Sequence, residues 1–141
     1  LQSWWFIPHV TVYMFSYSLL GCAFILACVS LFRKTDEYLP AADTLVYIGL
    51  AFLSLGMLSG SLWAKQAWGT YWNWDPKETW AAITWCIYLI YIHLRLVSRN
   101  AKRRSLAALL IAGFIGLQMC WWGVNYLPSA QGSQHVYSGG R

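Results

Sequence analysis

The feature that most constrains this chain is a series of four apolar runs, each long enough to cross a bilayer. A transmembrane helix needs about 20 mostly apolar residues, and the runs cover residues 7–32, 44–63, 79–96 and 106–122. Only 11% of the 141 residues are charged, whereas a soluble domain carries about 25%. The sequence therefore predicts an all-α polytopic membrane protein, with residues 1–141 forming a single domain in a lipid bilayer.

The basic residues predict which side of the membrane each loop faces, because Lys and Arg are retained on the cytoplasmic side. Seven flank the first and third loops, namely Arg33, Lys34, Arg95, Arg99, Lys102, Arg103 and Arg104, against Lys65, Lys77 and Arg141 on the other side. This count places both termini, a tail at 123–141 and a tryptophan-rich loop at 63–80 outside the cytoplasm. Since the basic residues flank apolar runs and form no soluble face, they argue against nucleic acid as a partner.

The four cysteines, Cys22, Cys28, Cys86 and Cys120, all lie within the apolar runs. The sequence contains no CxxC pair, so it signals neither a zinc site nor a thioredoxin-like redox pair, and no CxxCH, so the chain is not itself a c-type cytochrome. We interpret the cysteines as small residues that face lipid or the protein core.

The tryptophans are distributed on one side only. Nine of the ten fall at the outer side by the charge count, and Trp85 lies about one turn deeper. Aromatic belts that anchor a protein normally occupy both membrane interfaces, so anchoring alone does not predict this pattern. Indole faces supply broad apolar area at little entropic cost, which favours a large flat aromatic ligand at the outer surface.

The histidines are candidate ligands for a metal in such a molecule. His9 and His135 lie on the same side as the tryptophans, one before and one after the four runs. Imidazole is a common axial ligand of haem iron, so the two could clamp a porphyrin against the indoles; the alternative is an interfacial anchor and a solvated loop residue.

His93 lies near the cytoplasmic end of the third run. An ionisable residue within a span is by default a functional-site hypothesis. Alternatively, His93 reaches the inner interface alongside Arg95. It is too far from the outer loop to share an iron there, so a ligand role would require a second site.

The string DPKE, residues 75–78, has two interpretations. Asp75 before Pro76, with Glu78 three positions after Asp75, is typical of a helix start with a capping box. The alternative is acid–base chemistry by the paired charges. We favour the cap for Asp75 and Glu78.

The stretch WGTYWNWD, residues 68–75, resembles the WGxxWxWD signature of the tryptophan-rich haem-handling proteins of cytochrome c assembly. The continuation PKETWA resembles the CcsA/ResC branch of the System II pathway. The stretches LQSWWFIPHVTVYMFSY and GVNYLPSAQGSQHVY are similar to the histidine-bearing flanks of that family. The resemblance covers nearly the whole chain.

The resemblance implies a holocytochrome c synthase component that binds haem b, moves it across the membrane and presents it to the CxxCH segment of apocytochrome c. By position, His9 and His135 match the external axial ligands. His93 matches the ligand of an inner haem site whose other histidine comes from the membrane partner CcsB/ResB. The implied porphyrin surface comprises Trp63, Trp68, Trp72, Trp74, Asp75 and Trp80.

Two other functions stay open at this point. One is a haem carrier of the CcmC type, which passes haem to a chaperone without synthase activity, and the other is a purely structural membrane anchor. Where there is lyase activity, the resemblance assigns it to the chain together with CcsB/ResB, and no residue here need be a nucleophile because the substrate supplies both thiols. A bacterial cytoplasmic membrane is favoured over the plastid thylakoid.

Overall fold

The computed structural model describes residues 6–98 and 100–121, which form four α-helices joined by short loops. The helices are α1 (Phe6–Arg33), α2 (Leu39–Trp68), α3 (Pro76–Val97) and α4 (Arg103–Trp121). All four are long and apolar enough to cross a membrane. The predicted all-α fold with four membrane-spanning helices is confirmed, and the chain is an integral membrane protein.

The helices pack chiefly in two consecutive pairs. α1 lies against α2, α3 lies against α4, and α4 also packs on α1, whereas α2 and α3 touch sparsely. The starts of α1 and α3 and the ends of α2 and α4 share one end of the bundle, which we call the tryptophan end. The opposite end holds Arg33, Lys34, Arg95, Lys102, Arg103 and Arg104, and we call it the basic end.

Glycines on α2 let α1 approach closely. A Cβ atom on Gly49 would lie 2.7 Å from Leu20, and one on Gly56 would lie 2.8 Å from Tyr13. Small residues allow membrane helices to approach backbone to backbone, where packing and polar contacts replace the hydrophobic effect as the source of affinity. This seam packs the middle of α1 closely against the middle of α2.

The tryptophan-rich loop is shorter than predicted. We expected a loop over 63–80, but the flanking helices continue into this range and leave only residues 69–75 outside them. α2 continues until Gly69, whose left-handed φ of 84° ends it, and α3 begins at Pro76 because Asp75 caps it. An apolar run marks the part of a helix that lies in lipid, whereas the helix itself continues until its backbone is capped.

An acidic residue near the start of α2 ties this helix to the end of α3. The Asp43 carboxylate accepts hydrogen bonds from Arg95 Nε at 2.9 Å and from Tyr91 Oη at 2.6 Å. Hydrogen bonds between charged groups are among the strong ones in proteins. They compensate the burial of Asp43. The helix itself begins at Leu39, with Pro40 in its first turn, and not at the predicted residue 44.

Replacing Asp43 with alanine should destabilise the fold more than replacing Asp36. The Asp43 side chain is 18% exposed and binds two partners, and its loss should cost about 1.5–3 kcal/mol. The Asp36 side chain pairs with Arg103 at 3.0 Å but is 70% exposed, and such pairs contribute about 0–1 kcal/mol. Thermal unfolding of both variants in one detergent, followed by circular dichroism, measures the difference. Equal losses would show that the Asp43 network adds nothing beyond a surface ion pair.

Candidate functional site

His9 is held against α2 by its ring nitrogen and by a glycine. Nδ1 lies 2.8 Å from the carbonyl oxygen of Gly56. Because a carbonyl can only accept, Nδ1 carries the proton, and the lone pair of the neutral imidazole is on Nε2. Gly60 leaves room for the ring, since a Cβ atom there would lie 2.6 Å from Cε1 of His9. A hydrogen bond from the far ring nitrogen to a carbonyl is how proteins orient metal-ligating histidines.

Aromatic rings surround this imidazole. The Trp63 indole is fully buried and lies nearly parallel to the His9 ring, with centroids 6.0 Å apart and an interplanar angle of 14°. Tyr13 meets His9 edge-on at 4.7 Å, and Trp68 meets Trp63 edge-on at 4.8 Å. We call His9, Tyr13, Trp63 and Trp68 the histidine cluster.

The loop carries a second aromatic group. Trp72 and Trp74, which we call the loop pair, meet edge-to-face with centroids 5.4 Å apart. Trp74 is 66% exposed. Trp72 lines a groove of about 250 Å³ between α2 and α3, together with Ser54, Met57, Leu58, Ser61 and Trp85. Its Nε1 is buried and has no hydrogen-bond partner in the described part of the chain.

His9 and the groove that Trp72 lines lie on different faces of α2. His9 packs on Gly56 and Gly60, whereas the groove is lined by Ser54, Leu58 and Ser61. At 3.6 residues per turn, these two sets point in opposite directions from the helix axis. The structure thus brings His9 together with Trp63 and places the groove lined by Trp72 across α2 from His9. Trp68, the last residue of α2, contacts Trp63.

The capping box predicted from DPKE is confirmed. Asp75 Oδ1 accepts from the Glu78 amide at 2.8 Å, and Glu78 Oε2 accepts from the Asp75 amide at 3.3 Å. Glu78 Oε2 also accepts from the Asn73 amide at 2.7 Å, which the sequence did not indicate. Between these two amides lies Trp74 with a φ of 57°, a left-handed conformation that costs about 1–2 kcal/mol for a residue with a side chain.

Of the other predicted site residues, two lie apart from the histidine cluster and the loop pair, and one lies outside the residues that the structure describes. Trp80 is the fifth residue of α3 and is half-buried. His93 lies thirteen residues further along α3, about 20 Å away by helical rise. Its side chain is exposed, and its Nδ1 donates to the Leu89 carbonyl at 2.7 Å. His135 lies outside the described residues.

Sequence reasoning missed the residues that place His9. Tyr13 flanks the imidazole, the Gly56 carbonyl accepts its hydrogen bond and Gly60 leaves space for it. A signal was present, because glycines four apart on a membrane helix indicate a close helix contact. That signal identifies the seam but not which side chain of α1 lies in it.

The side chains at this end suit a metal held in a macrocycle better than a bare metal ion. Within residues 6–98 and 100–121, no group of three or more His, Cys, Asp or Glu side chains could hold a bare ion. A single imidazole among indole faces suits a metal whose equatorial positions are already filled by a flat macrocycle.

Comparison with known proteins gives a consistent result. A family model described as cytochrome C assembly protein matches residues 1–130. The chain is 39% identical over 140 residues to a protein of Chlamydomonas reinhardtii, covering 90% of this chain and 39% of that protein. It is 36% identical over 163 residues to one of Prochlorococcus marinus and 33% identical over 169 residues to one of Solanum lycopersicum, covering 52% and 54% of them. All three are named cytochrome c biogenesis protein CcsA, and the chain spans about half of their length or less.

Proposed function

The chain belongs to the cytochrome c assembly protein family as a relative of the CcsA proteins, and on that premise we propose that its tryptophan end binds haem b and presents it for attachment to apocytochrome c. The observation that carries this proposal is the His9 imidazole. Its Nδ1–H is hydrogen-bonded to the Gly56 carbonyl, which is the kind of contact by which proteins orient a histidine that coordinates a metal through its other ring nitrogen.

The residues around His9 fit a porphyrin substrate. The imidazole supplies one axial ligand, and the indoles of Trp63 and Trp68 supply apolar and aromatic surface beside it. We propose His135 as the second axial ligand. Because α2 separates His9 from the groove lined by Trp72, a flat ligand would contact both by lying across the end of this helix, with Asp75 and Trp80 at its margin.

We propose that the tryptophan end faces away from the cytoplasm of a bacterium. The six described basic residues of the basic end, together with Arg99, outnumber the Lys residues of the tryptophan end, and basic residues are retained on the cytoplasmic side. This orientation puts His93 near the cytoplasm. Its exposed side chain supports a role as one ligand of an inner haem site, with the other imidazole from CcsB/ResB.

The attachment step draws its reactive groups from the substrates. Each thiol of the apocytochrome CxxCH segment adds across a haem vinyl group: a carbon–sulfur bond forms at one vinyl carbon, and the thiol hydrogen ends on the other. The addition is redox-neutral and needs no nucleophile from this chain. The chain binds and orients haem at the tryptophan end, and the histidine of the CxxCH segment then replaces one axial imidazole.

Replacing Trp72 and Trp74 with alanine should lower haem affinity without preventing membrane insertion. Each indole contributes about 0.5–1.5 kcal/mol of aromatic contact beyond simple burial, or about a 2- to 10-fold change in affinity. Haem titration of the purified variants measures the loss, and Trp85→Phe, in the same groove but outside the loop, is the matched control. Unchanged affinity in both single variants and in the double variant would indicate an ordinary interfacial belt.

Haem transfer separates a synthase from a CcmC-type carrier. The chain is produced with CcsB/ResB and an apocytochrome that contains CxxCH, and covalent haem is detected on the denatured product. A substrate in which both cysteines are replaced by alanine is the control. Covalent product supports the synthase component, whereas haem bound by the chain without transfer supports the carrier.

A further inference from the structure

We infer that Glu78 is a positioning residue of the tryptophan-rich loop and that its carboxylate fixes how Trp74 is presented. The inference rests on the proposed function in one respect, because it takes the loop pair as part of the haem-binding surface. Glu78 touches neither ring of the pair by a polar contact; it acts through the backbone on either side of Trp74.

One carboxylate oxygen holds both flanks of Trp74. Glu78 Oε2 accepts from the Asn73 amide at 2.7 Å and from the Asp75 amide at 3.3 Å. These amides bracket Trp74, whose own carbonyl accepts from Thr79 Oγ1 at 3.2 Å. With the Asn73 amide and the peptide group that follows Trp74 both held by α3, Trp74 adopts its φ of 57° and exposes its indole.

Helix capping alone does not explain this arrangement. In a capping box the third residue of the helix reaches back to the N-cap amide, but here the shorter bond goes two residues further back, to Asn73. The Glu78 residue is 8% exposed, and burying a carboxylate is unfavourable unless hydrogen bonds satisfy it. A cap on an exposed helix start needs no such burial.

The conformation of Trp74 requires a restraint of this kind. A bulky residue in the left-handed region persists only where its surroundings over-determine it. Asp75, the other half of the box, accepts from the Glu78 amide, a bond that holds the start of α3, whereas the Glu78 carboxylate binds amides on both sides of Trp74. Without the Glu78 carboxylate, Trp74 should return to a negative φ. Its indole would then leave the edge-to-face contact with Trp72.

The test uses the apoprotein labelled with 5-fluorotryptophan, in which fluorine NMR reports each indole. Trp72→Phe and Trp74→Phe assign the two resonances of the loop pair. Glu78→Ala should shift both and leave in place the resonance of Trp63, which is buried beside His9 and is assigned with Trp63→Phe. Glu78→Gln, which keeps an acceptor oxygen, should return them towards the parent positions. Thr79→Val, which removes only the bond to the Trp74 carbonyl, should shift Trp74 alone and serves if Glu78→Ala does not fold.

Haem titration of the same variants completes the test. Glu78→Ala should weaken haem binding as much as Trp74→Ala does, about 2- to 10-fold, and Glu78→Gln by less. Unmoved Trp72 and Trp74 resonances in Glu78→Ala and Thr79→Val would overturn the positioning role whatever haem does. Shifted resonances with parent haem affinity would uphold the positioning role and overturn instead the haem surface of the proposed function.

Discussion

Replacing Gly60 with alanine should abolish ligation of haem by His9 while leaving the imidazole in the chain. The new Cβ would lie 2.6 Å from Cε1 and 2.7 Å from Nδ1 of the ring, closer than atoms can approach. The Gly56 carbonyl and Trp63 hold the ring on its other sides, so the whole imidazole must shift away from this position. Ligand geometry has to hold within about 0.5 Å, and we expect haem affinity to fall by at least about 10-fold, equivalent to about 1.4 kcal/mol.

The control for this variant is Ser59→Ala. Ser59 precedes Gly60 on α2, and its hydroxyl donates to two carbonyls of its own helix, at 2.8 Å to that of Leu55 and at 3.2 Å to that of Gly56. The control therefore also removes a donor from the carbonyl that holds His9, but it adds no atom beside the ring. Alanine at either position favours the helix. If Gly60→Ala loses haem and Ser59→Ala keeps it, unfolding of α2 does not explain the loss. Parent-like absorption in Gly60→Ala would show that the imidazole does not ligate from the position that the structure gives it.

Replacing Trp63 with alanine should be the most destabilising of the tryptophan changes. Its side chain is fully buried between His9 and Trp68, and truncating a buried tryptophan costs about 3–5 kcal/mol. Because Trp63 also backs the imidazole, haem affinity should fall in the fraction that folds. Chemical or thermal unfolding in detergent gives the stability, and haem titration below the transition gives the affinity.

Trp74→Ala is the matched comparison, since the two residues are the same type at the same end of the bundle. Trp74 is 66% exposed, and a surface substitution changes stability by only about 0.5 kcal/mol. Trp74→Ala should therefore affect haem binding and hardly affect unfolding. Equal losses of stability in the two variants would contradict the burial of Trp63 in the histidine cluster.

The fold could be predicted from the sequence because a bilayer requires one kind of backbone structure. Backbone groups in lipid must be satisfied internally, so four apolar runs predict four helices. The start of α3 was also accessible, because the cap on Asp75 depends on residues within one turn of each other. The partner of Asp43 near the start of α2 was not, because Arg95 is on another helix and no pattern within α2 records it.

From the sequence, the site could be located only to one end of the helix bundle. The one-sided tryptophans indicate which end carries them, but a residue count does not give the rotation of α2 about its axis. That rotation places Gly60 towards His9 and Ser61 towards the groove with Trp72, and it is set by packing against α1 and α3. The division into a histidine cluster and a loop pair therefore appears only in three dimensions.

Binding of haem through His9 is tested most directly by the absorption spectrum of the purified, haem-loaded protein, for the parent chain and for His9→Ala, without and with added imidazole. We expect a low-spin, six-coordinate Soret spectrum for the parent, its loss in His9→Ala, and its return when imidazole enters the space left by the side chain. A His9→Ala protein that keeps the haem content and the spectrum of the parent without added imidazole would contradict the assignment of His9 as an axial ligand.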